Sequence, residues 1–166
     1  MTKRTPVELN FSPLVSGFKR HIRITTHDLD ADLGEKLLAA VRSAEHHIGK
    51  VILKSRFTTT VAFASSFILK VPVVSVEGLE VDGQAVTDYA VSGKVLTVGP
   101  SVTGSQMTVT YVAGYEEIPF DMKAAIYMHA ATLFNNPTDS VETLAKASRN
   151  LLRPYRSWGL DDGEQD

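Results

Sequence analysis

A chain of 166 residues, 43% hydrophobic and 22% charged, is long enough for a sizeable core and has globular composition, which excludes long disordered tracts. Its formal net charge of -2 marks no partner, and the absence of cysteine excludes disulfides and thiolate metal sites. The most apolar stretch, 61–76, contains Ser65, Ser66, Lys70 and Pro72 and is too short to span a bilayer, while Met1-Thr2-Lys3-Arg4-Thr5-Pro6 lacks the apolar run of a signal peptide, so a soluble intracellular protein is expected.

Charge is unevenly spread along the chain. Residues 1–27 carry Lys3, Arg4, Lys19, Arg20 and Arg23 against Glu8 alone, residues 50–70 carry Lys50, Lys54, Arg56 and Lys70 with no acid, and acids outnumber bases after residue 115. Such polarity suits head-to-tail packing of copies or a basic surface near a polyanion, and equally suits solvated faces that cancel. Within it, Lys19-Arg20-His21-Ile22-Arg23 reads as a strand or helix edge that could meet phosphate. It lacks the interleaved aromatics of a single-strand platform, so contact with DNA would be non-specific.

The first predicted helix covers about 28–48. Leu29, Leu33, Leu37, Val41, Ala44 and Ile48 recur at helical spacing; Asp28, Asp30, Asp32 and Glu35 crowd its start, where negative charge suits the helix dipole. Thr26 or Asp28 is the expected N-cap, and Gly49 the expected close. From 51 to 113 short β-branched runs alternate with turns, predicting strands at 51–53, 58–63, 67–71, 73–76, 86–91, 95–98 and 107–112. Asp82-Gly83 and Ser92-Gly93 are hairpin signals, and Gly99-Pro100 and Thr103-Gly104 mark further turns.

Pro119 and Asp121 open a second predicted helix with Met122, Ala125, Ile126, His129, Ala130 and Leu133 on one face, ended by Asn135-Asn136-Pro137. Asp139 or Ser140 caps a third, with Val141, Leu144, Ala145, Ser148 and Leu151 or Leu152 turned inward. That helix should stop at Pro154, whose ring removes an N–H and disfavours the α region at Arg153. The expected fold is α+β: a core of about three helices from 1–50 and 115–160, with 51–114 inserted as a small antiparallel sheet or partial barrel, all in a single domain spanning 1–166. Leu151, Leu152, Pro154, Tyr155, Arg156 and Trp158 then form an apolar-aromatic-arginine arm, which docks either on its own core or on another subunit.

Catalytic and metal motifs are incomplete. Asp28-x-Asp30-x-Asp32 opens like a calcium loop, but Leu33 stands where the turn glycine belongs and Ala39 where the bidentate Glu belongs. Gly99 and Gly104 have P-loop spacing, yet Ser105-Gln106 replace the phosphate-gripping Lys-Ser/Thr. His46 and His47 point about 100° apart on a helix and cannot share a metal. His129, on an apolar face, reads as a satisfied core histidine. No Gly-x-Ser-x-Gly elbow is present, and nothing argues for an enzyme, a metal or a cofactor.

Several segments carry a resemblance over roughly residues 5–160. They are Phe18-Lys19-Arg20-His21-Ile22-Arg23-Ile24 followed by the acidic Asp28-Leu29-Asp30-Ala31-Asp32; Asp88-Tyr89-Ala90-Val91 followed by Tyr111-Val112-Ala113-Gly114-Tyr115; Ile118-Pro119-Phe120-Asp121-Met122-Lys123-Ala124-Ala125-Ile126; and Leu151-Leu152-Arg153-Pro154-Tyr155-Arg156. In order and spacing they resemble the small head–tail connector (head-completion or adaptor) proteins of tailed double-stranded DNA phages, in the branch with a β-rich insertion. Asn135-Asn136-Pro137-Thr138 and Lys54-Ser55-Arg56-Phe57 depart from that pattern.

The resemblance implies a non-enzymatic virion protein at the head–tail junction, assembled in the host cytoplasm. It would form a ring with copies of itself, dock beneath the portal protein after DNA packaging, and receive tail or stopper proteins. On this reading the 151–160 arm is a portal or neighbour contact, and Lys19, Arg20, Arg23, Lys50, Lys54 and Arg56 could line a DNA channel. A tail-side ring protein such as a tail terminator, which should lack the helical frame, and a cytoplasmic non-specific DNA-associated module are the alternatives.

Overall fold

The computed structural model describes residues 1–7, 11–136 and 144–157. They fold as α+β, with eight strands and four α-helices rather than three, and divide into two compact units.

One unit comprises Met1–Val7 and Leu53–Glu116. Its strands are β1 (Thr2–Pro6), β2 (Ser55–Ala62), β3 (Ser66–Ile68), β4 (Val73–Val81), β5 (Gln84–Val86), β6 (Tyr89–Ser92), β7 (Val95–Val98) and β8 (Gln106–Ala113). They build two antiparallel sheets, ordered β1-β2-β8-β4-β5 and β3-β7-β6. Alternation sets the faces of the larger sheet: Ser55, Phe57 and Thr59 of β2 and Met107, Val109 and Tyr111 of β8 are buried. Phe57 sits directly opposite Tyr111 and the two rings stack at 5.3 Å. On the other face the hydroxyls of Thr58 and Thr110 (3.5 Å) and of Thr60 and Thr108 (3.0 Å) pair across the strands.

Three expectations fail in this unit. Residues 1–50 are expected with the helices, but Thr2–Pro6 is the edge strand beside β2: a polar segment, Thr-Lys-Arg-Thr-Pro, ordered by pairing rather than by its own pattern. Residues 51–53 form no strand; only Leu53 bridges to Tyr115. The stretch 86–91 breaks into β5 and β6, where the Asp88 carbonyl accepts the Gly99 N–H (2.8 Å) and the chain passes between sheets.

The glycine signals hold where geometry demands them. Asp82 and Gly83 both have positive φ (50° and 80°), the hairpin turn that joins β4 to β5. Gly114 has φ 128°, and a Cβ there would lie 2.6 Å from the Lys54 backbone. Only glycine fits.

The other unit comprises Glu8–Ile52 and Glu117–Asp166. It contains α1 (Ser12–His21), α2 (Asp30–Ile48), α3 (Phe120–Asn135) and α4 (Lys146–Leu152), with a 3-10 turn at Arg153–Tyr155. In α2 the expected stripe is buried from its second member on: Leu33, Leu37, Val41, Ala44 and Ile48 are closed to solvent, whereas Leu29, ahead of the helix, is exposed, and Gly49 ends the helix at φ 69°. Neither Thr26 nor Asp28 caps it. The N-cap is Leu29 with no side-chain bond, and Asp30 and Asp32 supply negative charge to the first turn.

Helix α1, absent from the sequence expectation, has Pro13 in its first turn and buries Leu14 and Phe18. Gly17 lets it approach α3 closely: a Cβ there would fall 2.2 Å from the Tyr127 hydroxyl, while Phe18 stacks on the Tyr127 ring at 5.9 Å. Helix α3 buries Met122, Ala125, Ile126, His129 and Ala130 as its spacing predicts, while Leu133, expected on the same face, is only half-buried. Helix α4 buries Ser148 and Leu152 but starts later than expected: its N-cap is Ala145, whose ψ of 145° is extended, so neither Asp139 nor Ser140 caps it, and Leu144 and Ala145 precede the helix. Asp139, Ser140 and Val141 themselves lie outside the described residues.

Candidate functional site

At the C-terminal end of α4, Leu152 is fully buried and Leu151 half-buried, so Leu152 is a core side chain of this unit and not a surface contact. Pro154 does not turn the chain into extended backbone. Arg153 keeps helical angles (φ -52°, ψ -42°), and the helix tightens into the 3-10 turn, in which the missing proline N–H costs nothing. Only Arg156 is extended, and the Ser157 N–H then donates to the Ile48 carbonyl at 3.1 Å. The segment thus runs back over the end of α2 and satisfies one of its last carbonyls. Burial, with the charges of Arg156 and Arg149, holds the neighbouring His47 below its ordinary value. Pro154 and Arg156 are exposed and Tyr155 half-buried; Trp158 lies outside the described residues.

The six basic candidates divide between the units, Lys19, Arg20, Arg23 and Lys50 in the helical one and Lys54 and Arg56 in the β one. Three are occupied by acids. Lys19 bonds Asp30, Lys54 bonds Glu116, and Arg56 makes a two-pronged contact with Glu77 (2.7 and 2.9 Å). Two irregularities leave Val74 and Glu77 of β4 without a partner in β8, and from there Glu77 meets Arg56 across β8. Lys50 is half-buried, whereas Arg20 and Arg23 are exposed and hold no ion pair among the described residues.

Arg23 is also a backbone exception. It has φ 58°, with its N–H on the Arg20 carbonyl (3.3 Å) and the Ile24 N–H on the Lys19 carbonyl (3.0 Å), the paired bonds of a Schellman close normally given to glycine.

Asp30, the first residue of α2 and the middle of the expected acidic cluster, is an ion-pair site. Hydrogen bonds from Lys19 and His27 hold the Asp30 carboxyl below the usual carboxylate range. Among the described residues no three His, Asp or Glu side chains are grouped to hold a metal, and no helix is long and apolar enough to cross a membrane. His129 is buried as expected but is not satisfied: its Nδ1 and the Ser148 hydroxyl, both buried, have no partner among the described residues. Burial pushes the His129 imidazole below its ordinary value.

One surface feature carries no sequence motif. Phe120, first residue of α3, is 81% exposed, with the Lys123 ammonium 5.2 Å over its ring. Its signal is phase: it falls on the far side of the helix from the stripe through Met122, Ile126 and His129.

No protein-family model and no curated protein matches this chain. Solved structures do. A chain in the neck of the empty gene transfer agent particle, computed with C6 symmetry, superposes with a TM-score of 0.79 at 18% identity over 100% of both chains. The fold is that of a gene transfer agent neck component. The neck of the native particle, computed with C12 symmetry, gives 0.76 at 18% identity, again over 100% of both chains. The virion of the native particle gives 0.74 at 19% identity over 95% of each. This neck fold therefore accommodates both the β strands and the helices of the chain.

Proposed function

We propose that this protein is a non-enzymatic structural component of a phage-like particle, a connector that joins the portal end of a head to its tail. The observation that carries the proposal is the neck fold, matched over the whole chain at a TM-score of 0.79. Independent support comes from where the connector-like segments lie. Phe18-Lys19-Arg20-His21 forms the end of α1, the acidic turn leads into α2, Gly114 fills the one position behind β8 that only glycine fits, Pro119 is the N-cap of α3, and Leu151-Leu152 close α4.

On this reading the chain is a single connector domain in which the β unit is an insertion. It works in a virion as a ring of copies, with the portal on one side and tail or stopper proteins on the other, consistent with the C6 and C12 symmetry of the necks it resembles. The helical frame speaks against a tail terminator. The pairing of Lys19, Lys54 and Arg56 with carboxylates speaks against a free DNA-binding module and leaves Arg20, Arg23 and Lys50 as candidates for a channel wall.

Deleting the gene in a particle-producing strain tests the reading. Heads without attached tails are expected, restored by supplying the gene in trans, and electron microscopy should place a tagged copy at the head–tail junction. Normal tailed particles from the deletion strain would overturn it.

A further inference from the structure

Two parts of the helical unit stay uncovered by its own folding and carry opposite charge. At the start of α3, Phe120 stands 81% exposed between Glu117 and Asp121. Both carboxylates are exposed, and neither has an ion pair among the described residues. At the end of α1, Arg20 and Arg23 are exposed and likewise without ion pairs among the described residues. Arg23 occupies the left-handed position of the helix close (φ 58°), where any side chain but glycine carries a backbone penalty. Two backbone hydrogen bonds hold it there, so the backbone that carries the guanidinium is ordered before any partner binds.

We infer that these are the two halves of a head-to-tail contact between copies of this chain: Glu117, Phe120 and Asp121 of one copy seat against Arg20 and Arg23 of the next. The inference rests on the neck reading, which requires a ring of copies.

The chemistry fits on both sides. Guanidinium groups stack on aromatic faces and take carboxylates in a planar fork; the Lys123 ammonium already lies over one face of the Phe120 ring, so one arginine takes the other face while the second forks onto a flanking acid. Removing an exposed phenylalanine from water supplies the apolar centre that a salt-bridged rim alone lacks. The occupant is a second copy because each patch finds its complement in the same chain. A contact made from two different patches leaves one of each free at every step, which is the arrangement that extends and closes into a ring. DNA fits one patch only, since Glu117 and Asp121 would repel phosphate; with Arg20 and Arg23 turned to the next copy, Lys50 is the channel-wall candidate that remains.

The cysteine-free chain offers a clean test. Ala124→Cys, one turn after Phe120, and Ser16→Cys, one turn before Arg20, leave the proposed contact residues in place and are made separately and together in the full chain, with the exposed Thr25→Cys as a second partner beside Arg23. A short bis-maleimide cross-linker is added at assembly concentration, and Gln84→Cys, exposed in the β unit, serves as control. Mixing the Ala124→Cys and Ser16→Cys chains should give a cross-linked dimer in yield on the order of tenfold above mixtures with the control, since the contact raises the effective concentration of the pair. Each single variant alone should give none, and the double variant should give a ladder.

A ladder no stronger than control from chains that still oligomerise on sedimentation overturns this contact and leaves the neck reading standing. Cross-linking confined within one chain overturns it too, as does a chain that stays monomeric at every concentration. Failure of the neck reading itself shows separately, as tailed particles from the deletion strain.

Discussion

The backbone N–H of Ser157 donates to the carbonyl of Ile48, 3.1 Å away, so the chain leaving α4 closes the end of α2. Thus the beginning of the C-terminal arm belongs to its own unit. The arm therefore divides: Leu152 and the Ser157 backbone belong to the packing of their own unit, whereas Pro154 and Arg156 are exposed and stay, with Trp158 outside the described residues, the part read as a portal or neighbour contact.

Truncation separates the two parts. Removing residues 158–166 is expected to leave the melting temperature within about 2 °C of the full chain while abolishing attachment to portal-bearing heads. Trp158 then acts as an aromatic anchor for a partner. Leu152→Ala, by contrast, should cost about 2–5 kcal/mol, as for other buried leucines, with assembly lost only because the unit unfolds. Thermal unfolding beside a head–tail joining assay checks both. A large fall in melting temperature for the truncated chain would make Trp158 a core residue.

Gly114→Ala is expected to destabilise the β unit by about 2 kcal/mol or more. It combines a left-handed φ with a Cβ that would meet the Lys54 backbone, which no rotamer can relieve. Native-state amide hydrogen exchange of the β2 and β8 N–H groups checks it. A change within experimental error would mean that the backbone at Lys54 yields freely.

The same residues explain how much of the fold is legible in the amino-acid sequence. Helix α2 is readable because Leu33, Leu37, Val41, Ala44 and Ile48 keep one period over its whole length, and the Asp82-Gly83 hairpin because few residues tolerate two positive φ angles. Helix α1 is not, because only Leu14 and Phe18 are buried and the run from Lys19 to Ile24 mixes charge and apolar residues without a helical phase. Strand β1 is not, because an edge strand polar on both faces is specified by its partner, β2. Phe120 is hidden for the converse reason: periodicity finds residues that share a face, and its importance lies in being out of phase. The basic candidates are visible as charges, but their carboxylate partners, Glu77 and Glu116, lie far along the chain and only folding brings them together.

Ser148→Ala is expected to be neutral or to stabilise by up to about 1 kcal/mol. The hydroxyl is buried with no partner among the described residues, so its removal relieves a desolvation cost and breaks no bond. Equilibrium unfolding of the variant checks this. A loss of stability would reveal a hydrogen bond from water or from the segment outside the described residues.

His129 gives the chain a pH dependence whose sign is set by burial. In the folded chain its imidazole sits below the ordinary value of 6.5, held neutral by desolvation on α3, while the unfolded chain titrates near that value. Above about pH 7 both states are neutral and the contribution to stability is complete. As pH falls through 6.5, the unfolded chain takes up a proton that the folded chain refuses, so stability is lost until the folded value is reached. The slope should approach about 1.4 kcal/mol per pH unit at most, one proton's worth. His47 is shifted in the same direction from a more open site, and His47→Gln subtracts its share. Unfolding free energies measured between about pH 5 and pH 7.5 for the wild type, His129→Leu and His47→Gln decide the assignment. His129→Leu should flatten the fall most. An unchanged slope in that variant would mean that His129 is protonated without penalty, and that its Nδ1 finds a partner in the folded protein.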